Sequence, residues 1–231
     1  MQTTRMPRGA LPSPRHKLAS AIPHTLVGAT PHNVLHVPHK LSFWGNNTYG
    51  DCVTAEEAFA KATHDPEIFI SEQEVIQWAT QHNFLNGAVI SDVLETMTAA
   101  GFKQSNHVYD DGPARSVNWT DSALLRNAIA HGPVKIGVAA DQLNNVYTGK
   151  NGWVATGFLP DTAEDHCVSL CGYGTLEWLA KELKTHIPGG INATQPGYAL
   201  FTWDTIGIID VPSLMAITHE AWLRMPTTKV Q

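Results

Sequence analysis

The sequence predicts an α+β fold of two lobes, helical in its first half and rich in sheet in its second. From about residue 51 to 118, apolar positions recur at helical spacing behind cap residues. Beyond about 119 they gather into short β-branched and aromatic runs. With 231 residues and 43% hydrophobic content, the chain has enough apolar material for substantial cores. The expected organisation is an extended Pro-rich arm over residues 1–40, then one domain over 41–231. Its helical lobe spans about 41–118 and its sheet lobe about 119–231.

Each element has a local reason. Pro7, Pro12, Pro14, Pro23, Pro31 and Pro38 forbid a long helix in the arm, whose first fifteen or so residues are expected to be loose on the surface. Asp51 to His64 reads as a central helix ended by Asp65-Pro66, with Val53, Ala55, Ala58, Phe59 and Ala62 as its buried stripe. Ser71 and Glu74 form a capping box for a second helix running to about His82. Ser91 or Asp92 caps a third over 93–100, with Gly101 as a left-handed stop, and Thr120-Asp121 caps a fourth that ends at Gly132. Strands are expected over 134–139, 163–173, 198–203 and 208–217. The amphipathic run from Leu176 to Leu183 reads as an inserted helix.

Composition excludes several classes. A net charge of -6 with 16% charged residues offers no basic field for phosphates, so nucleic acid is not an expected partner. The first forty residues hold no apolar stretch of signal-peptide length, and no membrane partner is expected. Three cysteines cannot all pair with one another, and their spacing fits neither a disulfide scaffold nor a four-ligand zinc site. This points to reducing, cytoplasmic conditions. His32, His36 and His39 have a ligand-like spacing. However, Pro31 and Pro38 oppose the helix that would converge them and no Cys or carboxylate completes the set, so they read as a surface cluster. No metal and no cofactor are expected.

The chemistry concentrates at two points. Cys52 opens the central helix, where the helix end and its free N–H groups favour the thiolate, the nucleophilic form. His166 opens an apolar strand that closes in Gly172-Tyr173-Gly174. Strand alternation puts it on the face of Val168 and Leu170, away from Cys167, so its imidazole can open toward a cleft. Cys167 and Cys171, on the opposite face, read as core. Cys52 as nucleophile and His166 as base form a dyad suited to acyl transfer.

The order of motifs carries a resemblance. Gly50-Asp51-Cys52, Ile70-Ser71-Glu72-Gln73-Glu74-Val75, Asn86-Gly87, Gly132-Pro133-Val134, Asp165-His166-Cys167-Val168, Gly172-Tyr173-Gly174 and Pro196-Gly197-Tyr198 follow one another as in the papain-like cysteine peptidases. The chain resembles that family piecewise from about Trp44 to Asp204. The resemblance implies a two-lobed fold with a cleft that takes a peptide or other acyl or amide substrate. It also implies an oxyanion hole built from the N–H of Cys52 and the side chain six residues before it. That residue is Asn46, where the family has a glutamine.

Asn86 and Gly87 resemble the family's strip that pairs with substrate backbone, and Asn47 and Asp165 complete the expected substrate contacts. The family's His-orienting asparagine is missing. Asp204 is the best substitute by distance along the strand, whereas alignment on Trp203 would put Phe201 or Thr202 there. The family's disulfides are also missing, and forty residues are too few for its usual helical pro-segment. The implied reaction is attack of the Cys52 thiolate on a carbonyl, protonation of the leaving group by His166, and hydrolysis of the thioester. Transferase, cyclase and lyase chemistry, or a catalytically weak binding protein, stay open on the same scaffold.

Overall fold

The computed structural model describes residues 5–149 and 152–231. Its spine is an antiparallel sheet in which Ala114–Ser116, Thr218–Arg224, Val134–Val138, His166–Thr175, Pro196–Thr202 and Thr205–Asp210 lie side by side. Val154–Ala155 closes one edge in parallel. Alternation splits the side chains between two cores. Cys167, Cys171, Ala199 and Phe201 face the helices. Val168, Leu170, Tyr198 and Leu200 face a second cluster with Leu125, Ile129 and Leu214.

The central helix, Cys52–Ala62, is buried along its whole length and not only on a stripe. Its alanines let the sheet approach, and Phe59 stacks on Phe201 with centroids 4.0 Å apart. The charged residues of this helix are paired inside the protein. Arg224 donates to Glu56 (3.0 Å) and to the carbonyl of Pro133 (3.1 Å). Lys135 pairs with Glu56 (3.0 Å) and Glu57 and donates to the carbonyl of Val53 (2.8 Å), while Lys61 pairs with Asp111 (2.9 Å). Glu57 is held far below the ordinary carboxylate range because the neighbouring Arg224, Lys135 and Lys61 charges outweigh its burial. These pairs fix the helix, and with it Cys52, on the sheet.

Ser71 caps Glu72–Gln81, accepting from the N–H of Glu74 at 3.2 Å, and Asp121 caps Ser122–His131. Leu176–Leu183 forms the inserted helix, its Leu176 and Leu179 fully buried in the core. Three expectations are corrected. The third helix is Ile90–Ala99, starts without a side-chain cap, and stops at Ala100 (φ -151, ψ 82), with no left-handed Gly101. The run 208–217 is no continuous strand. Asp210 ends one at Thr205–Asp210 and caps the helix Val211–Ile217, accepting from the N–H of Ser213 at 2.9 Å, with Pro212 in the first turn.

The third correction concerns the arm. From Arg5 to Leu11 it runs through the cleft between the lobes, where it pairs with both walls. The N–H of Ala88 donates to Gly9 (2.8 Å) and the N–H of Ala10 donates to Asp165 (3.2 Å). A short helix, Arg15–Ser20, follows. Lys229–Val230 crosses back to pair with His107–Asp110. No helix among the described residues is long and apolar enough to cross a membrane.

Candidate active site

Cys52 is the first residue of the central helix and His166 the first of its strand, and the two elements pack together. The thiol is 2% exposed and the imidazole fully buried. Backbone N–H groups of Cys167 and Gly9 face the sulfur. Even so, burial dominates and pushes the thiol up to about 11 from an ordinary 9.0. Burial, joined by the nearby Arg8 charge, pushes His166 down to about 3 from 6.5. With the arm in place, both groups are therefore neutral near pH 7. The arm presents the N–H of Gly9 to the sulfur.

Nε2 of His166 lies 2.7 Å from Oγ1 of Thr202, and Trp203 stacks on the ring at 4.9 Å and 22°. Thr202 ends the strand Pro196–Thr202, and Trp203 turns the hairpin with φ +54, a strained choice for a bulky residue that lays the indole over the imidazole. Nδ1 of His166 is buried without a partner. Asp204, expected to orient His166, instead accepts from the Tyr147 hydroxyl at 2.5 Å. This corrects the sequence expectation: the group on the imidazole is Thr202.

Asn46 is buried, and its amide donates to the carbonyl of Tyr49 at 3.0 Å. In this conformation it is engaged within its own loop. Asn47 is exposed and accepts from Thr48. Asp51 is also buried, and burial raises it to about 8 against the lowering effect of its own backbone N–H and the Asn46 amide nearby.

Gly87 has φ +126, and a side chain there would meet the carbonyl of Gly9, so the Asn86-Gly87 strip lies against the arm. Asp165 does two jobs: its carbonyl accepts from Ala10, and its carboxylate takes Arg8 at 2.6 Å. The expected dyad and strip thus converge on one extended segment of the chain itself. The three histidines of the arm disperse, His36 against the carbonyl of Ile129 and His39 against Glu67. Cys167 and Cys171 are buried and free.

No protein-family sequence model matches the chain, and no curated protein sequence does. Solved structures match it well. Procathepsin L 3 of Tenebrio molitor larval midgut aligns with TM-score 0.65 at 14% identity, over 88% of this chain and 73% of that one. The fold is papain-like. Xylellain, a cysteine protease from Xylella fastidiosa, aligns with TM-score 0.63 at 16% identity, over 97% of both chains. The proform of Amb a 11, a cysteine protease and ragweed pollen allergen, gives 0.63 at 14% over 90% of this chain and 72% of that one. At these identities the likeness is one of papain-like fold, reached by a divergent sequence.

Sequence reasoning missed Arg8, Gly9 and Asp141 as cleft residues. Only the basic, proline-broken composition of residues 5–15 hinted at a segment held extended by charge.

Proposed function

We propose that the chain is a cysteine-dependent acyl-transfer hydrolase of peptide or amide bonds, held latent by its own N-terminal arm. The observation that carries this reading is the arm itself. An extended polypeptide lies between the lobes beside Cys52 and His166, hydrogen-bonded to Ala88 on one wall and to Asp165 on the other. A cleft that seats one extended main chain suits a peptide substrate.

On arm withdrawal, water reaches the dyad and the Arg8 cation leaves His166. A thiolate–imidazolium pair then becomes accessible at the helix N-terminus. Cys52 attacks the carbonyl, His166 protonates the leaving amine, and water, deprotonated by the now neutral imidazole, hydrolyses the thioester. Thr202 and Trp203 hold the ring for both transfers. The Cys52 N–H is the first oxyanion donor, with Asn46 as second if its amide turns from Tyr49. Three free, buried cysteines support a reducing, cytoplasmic setting.

A second reading is a recognition protein that keeps the cleft without the chemistry, favoured by the neutral dyad and the engaged Asn46. The test is labelling by an epoxide that modifies activated thiols, read by intact mass. It compares the Gly9→Val variant with the same chain carrying Cys52→Ala or His166→Ala. Labelling that needs both residues supports the hydrolase. Labelling of a folded protein that is indifferent to His166 rules it out.

A further inference from the structure

Arg8 is seated more completely than a surface latch requires. Its guanidinium meets Asp141 at 2.5 Å, Asp165 at 2.6 Å and the carbonyl of Ala140 at 3.0 Å, and its side chain is only 8% exposed. The seat is built from the fold and not from the arm. The other oxygen of Asp165 accepts from the N–H of Ala140 at 3.0 Å, which locks the two acceptor segments together. Asp141 opens the helix Asp141–Val146. The seat is also next to the chemistry, since Asp165 precedes His166 and Arg8 precedes Gly9, whose N–H faces Cys52.

Among the described residues, the cations paired with Asp141 and Asp165 are Arg5 and Arg8, both from the arm. Once the arm leaves, two carboxylates and a carbonyl oxygen face the cleft with no protein cation on them. Resting on the hydrolase reading above, we infer that Asp141, Asp165 and the carbonyl of Ala140 form a subsite that selects substrates with a basic side chain beside the reacting bond. Two carboxylates take one terminal nitrogen and the Ala140 carbonyl the other, with Nε left without a partner among the described residues. Engaging two arms of a planar fork suits arginine better than lysine, whose ammonium is a compact and strongly hydrated point charge. A glutamate at that position meets two like charges and is rejected.

The test uses full-length protein with the arm displaced by Gly9→Val, because a side chain at Gly9 runs into the backbone of Gly50. Arg5→Glu with Arg8→Glu, which repels the arm from the same two aspartates, serves as a second opened form. Quenched peptides carrying arginine, lysine, norleucine or glutamate at each position are compared by kcat/KM. Binding of a labelled Met-Pro-Arg-Gly-Ala-Leu-Pro peptide is compared with its norleucine analogue by anisotropy.

The expected result is a preference for arginine over norleucine of roughly tenfold or more at one position, the scale of a charge-assisted hydrogen-bond set. Asp141→Asn should reduce that preference and Asp141→Lys should turn it toward glutamate. Equal kcat/KM across the series, or a preference untouched at Asp141, overturns the subsite and leaves the hydrolase standing. If Cys52 labels but no peptide is cut, the peptidase reading falls, and the binding comparison then decides the subsite alone. Equal affinity for the arginine and norleucine peptides overturns it.

Discussion

Thr202 Oγ1 sits 2.7 Å from Nε2 of His166, at the end of a strand whose next residue, Trp203, stacks on the same ring. A hydroxyl on one edge and an indole on one face hold the imidazole in position, where the family resemblance implied an asparagine. Asp204 takes no part, since its carboxylate is bound to Tyr147.

Thr202→Val keeps the shape of the residue and leaves the buried ring nitrogen without a partner. In the Gly9→Val background, epoxide labelling of Cys52 is expected to fall roughly tenfold or more, the cost of one unsatisfied buried group. Asp204→Asn, which preserves the acceptor for Tyr147, should leave the rate essentially unchanged. A larger loss at Asp204 than at Thr202 would restore the sequence-based assignment.

Lys135 is fully buried and shared by Glu56, Glu57 and the carbonyl of Val53, one residue after Cys52. Lys135→Met removes one of the two buried cations shared by Glu56 and Glu57 and leaves both carboxylates on Arg224 alone, and urea unfolding should show a loss of about 3–5 kcal/mol. A loss under about 1 kcal/mol, the range of surface pairs, would mean that the cluster is hydrated.

His166 gives a pH signature. Its pKa in the folded chain, about 3, lies below the ordinary 6.5, so the fold holds it neutral while the unfolded chain protonates it below 6.5. The stability this represents is present above pH 6.5 and is lost as pH falls toward 3, at up to about 1.4 kcal/mol per pH unit. Comparing urea midpoints of wild type and His166→Gln from pH 7 to 4 isolates this slope, because the variant cannot take up that proton. Parallel curves would show that the imidazole is not buried neutral.

The inserted helix contributes to the core, with Leu179 fully buried. Leu179→Ala should cost about 2–5 kcal/mol in denaturant unfolding. A neutral effect would mean that the helix is a surface appendage.

Much of this was legible in the residues. Ser71 with Glu74, and Asp121, marked helix starts that the structure keeps, and Leu176 to Leu183 announced the inserted helix by its apolar spacing. Cys52 and His166 stood out because a helix start and a strand start are where such groups gain function. The arm was read poorly. Its prolines ruled out helix but gave no partner, and the pairing of Gly9 with Ala88 joins residues far apart in sequence. For the group on His166 the residues left two readings, Asp204 by distance along the strand and Phe201 or Thr202 by alignment on Trp203; strand counting favoured the first because it does not register a left-handed Trp203.

On the proposed reading, the arm keeps Cys52 and His166 neutral and covered until it leaves. The most direct measurement is the second-order rate of Cys52 alkylation by iodoacetamide at pH 6, located by peptide mapping, in wild type and in Gly9→Val. The account predicts a slow wild type and a variant at least about tenfold faster, as expected when a covered state is no longer dominant, with the gain abolished by adding His166→Ala. Equal rates in wild type and Gly9→Val, with the variant shown to have released residues 5–11 by proteolytic sensitivity, would contradict it.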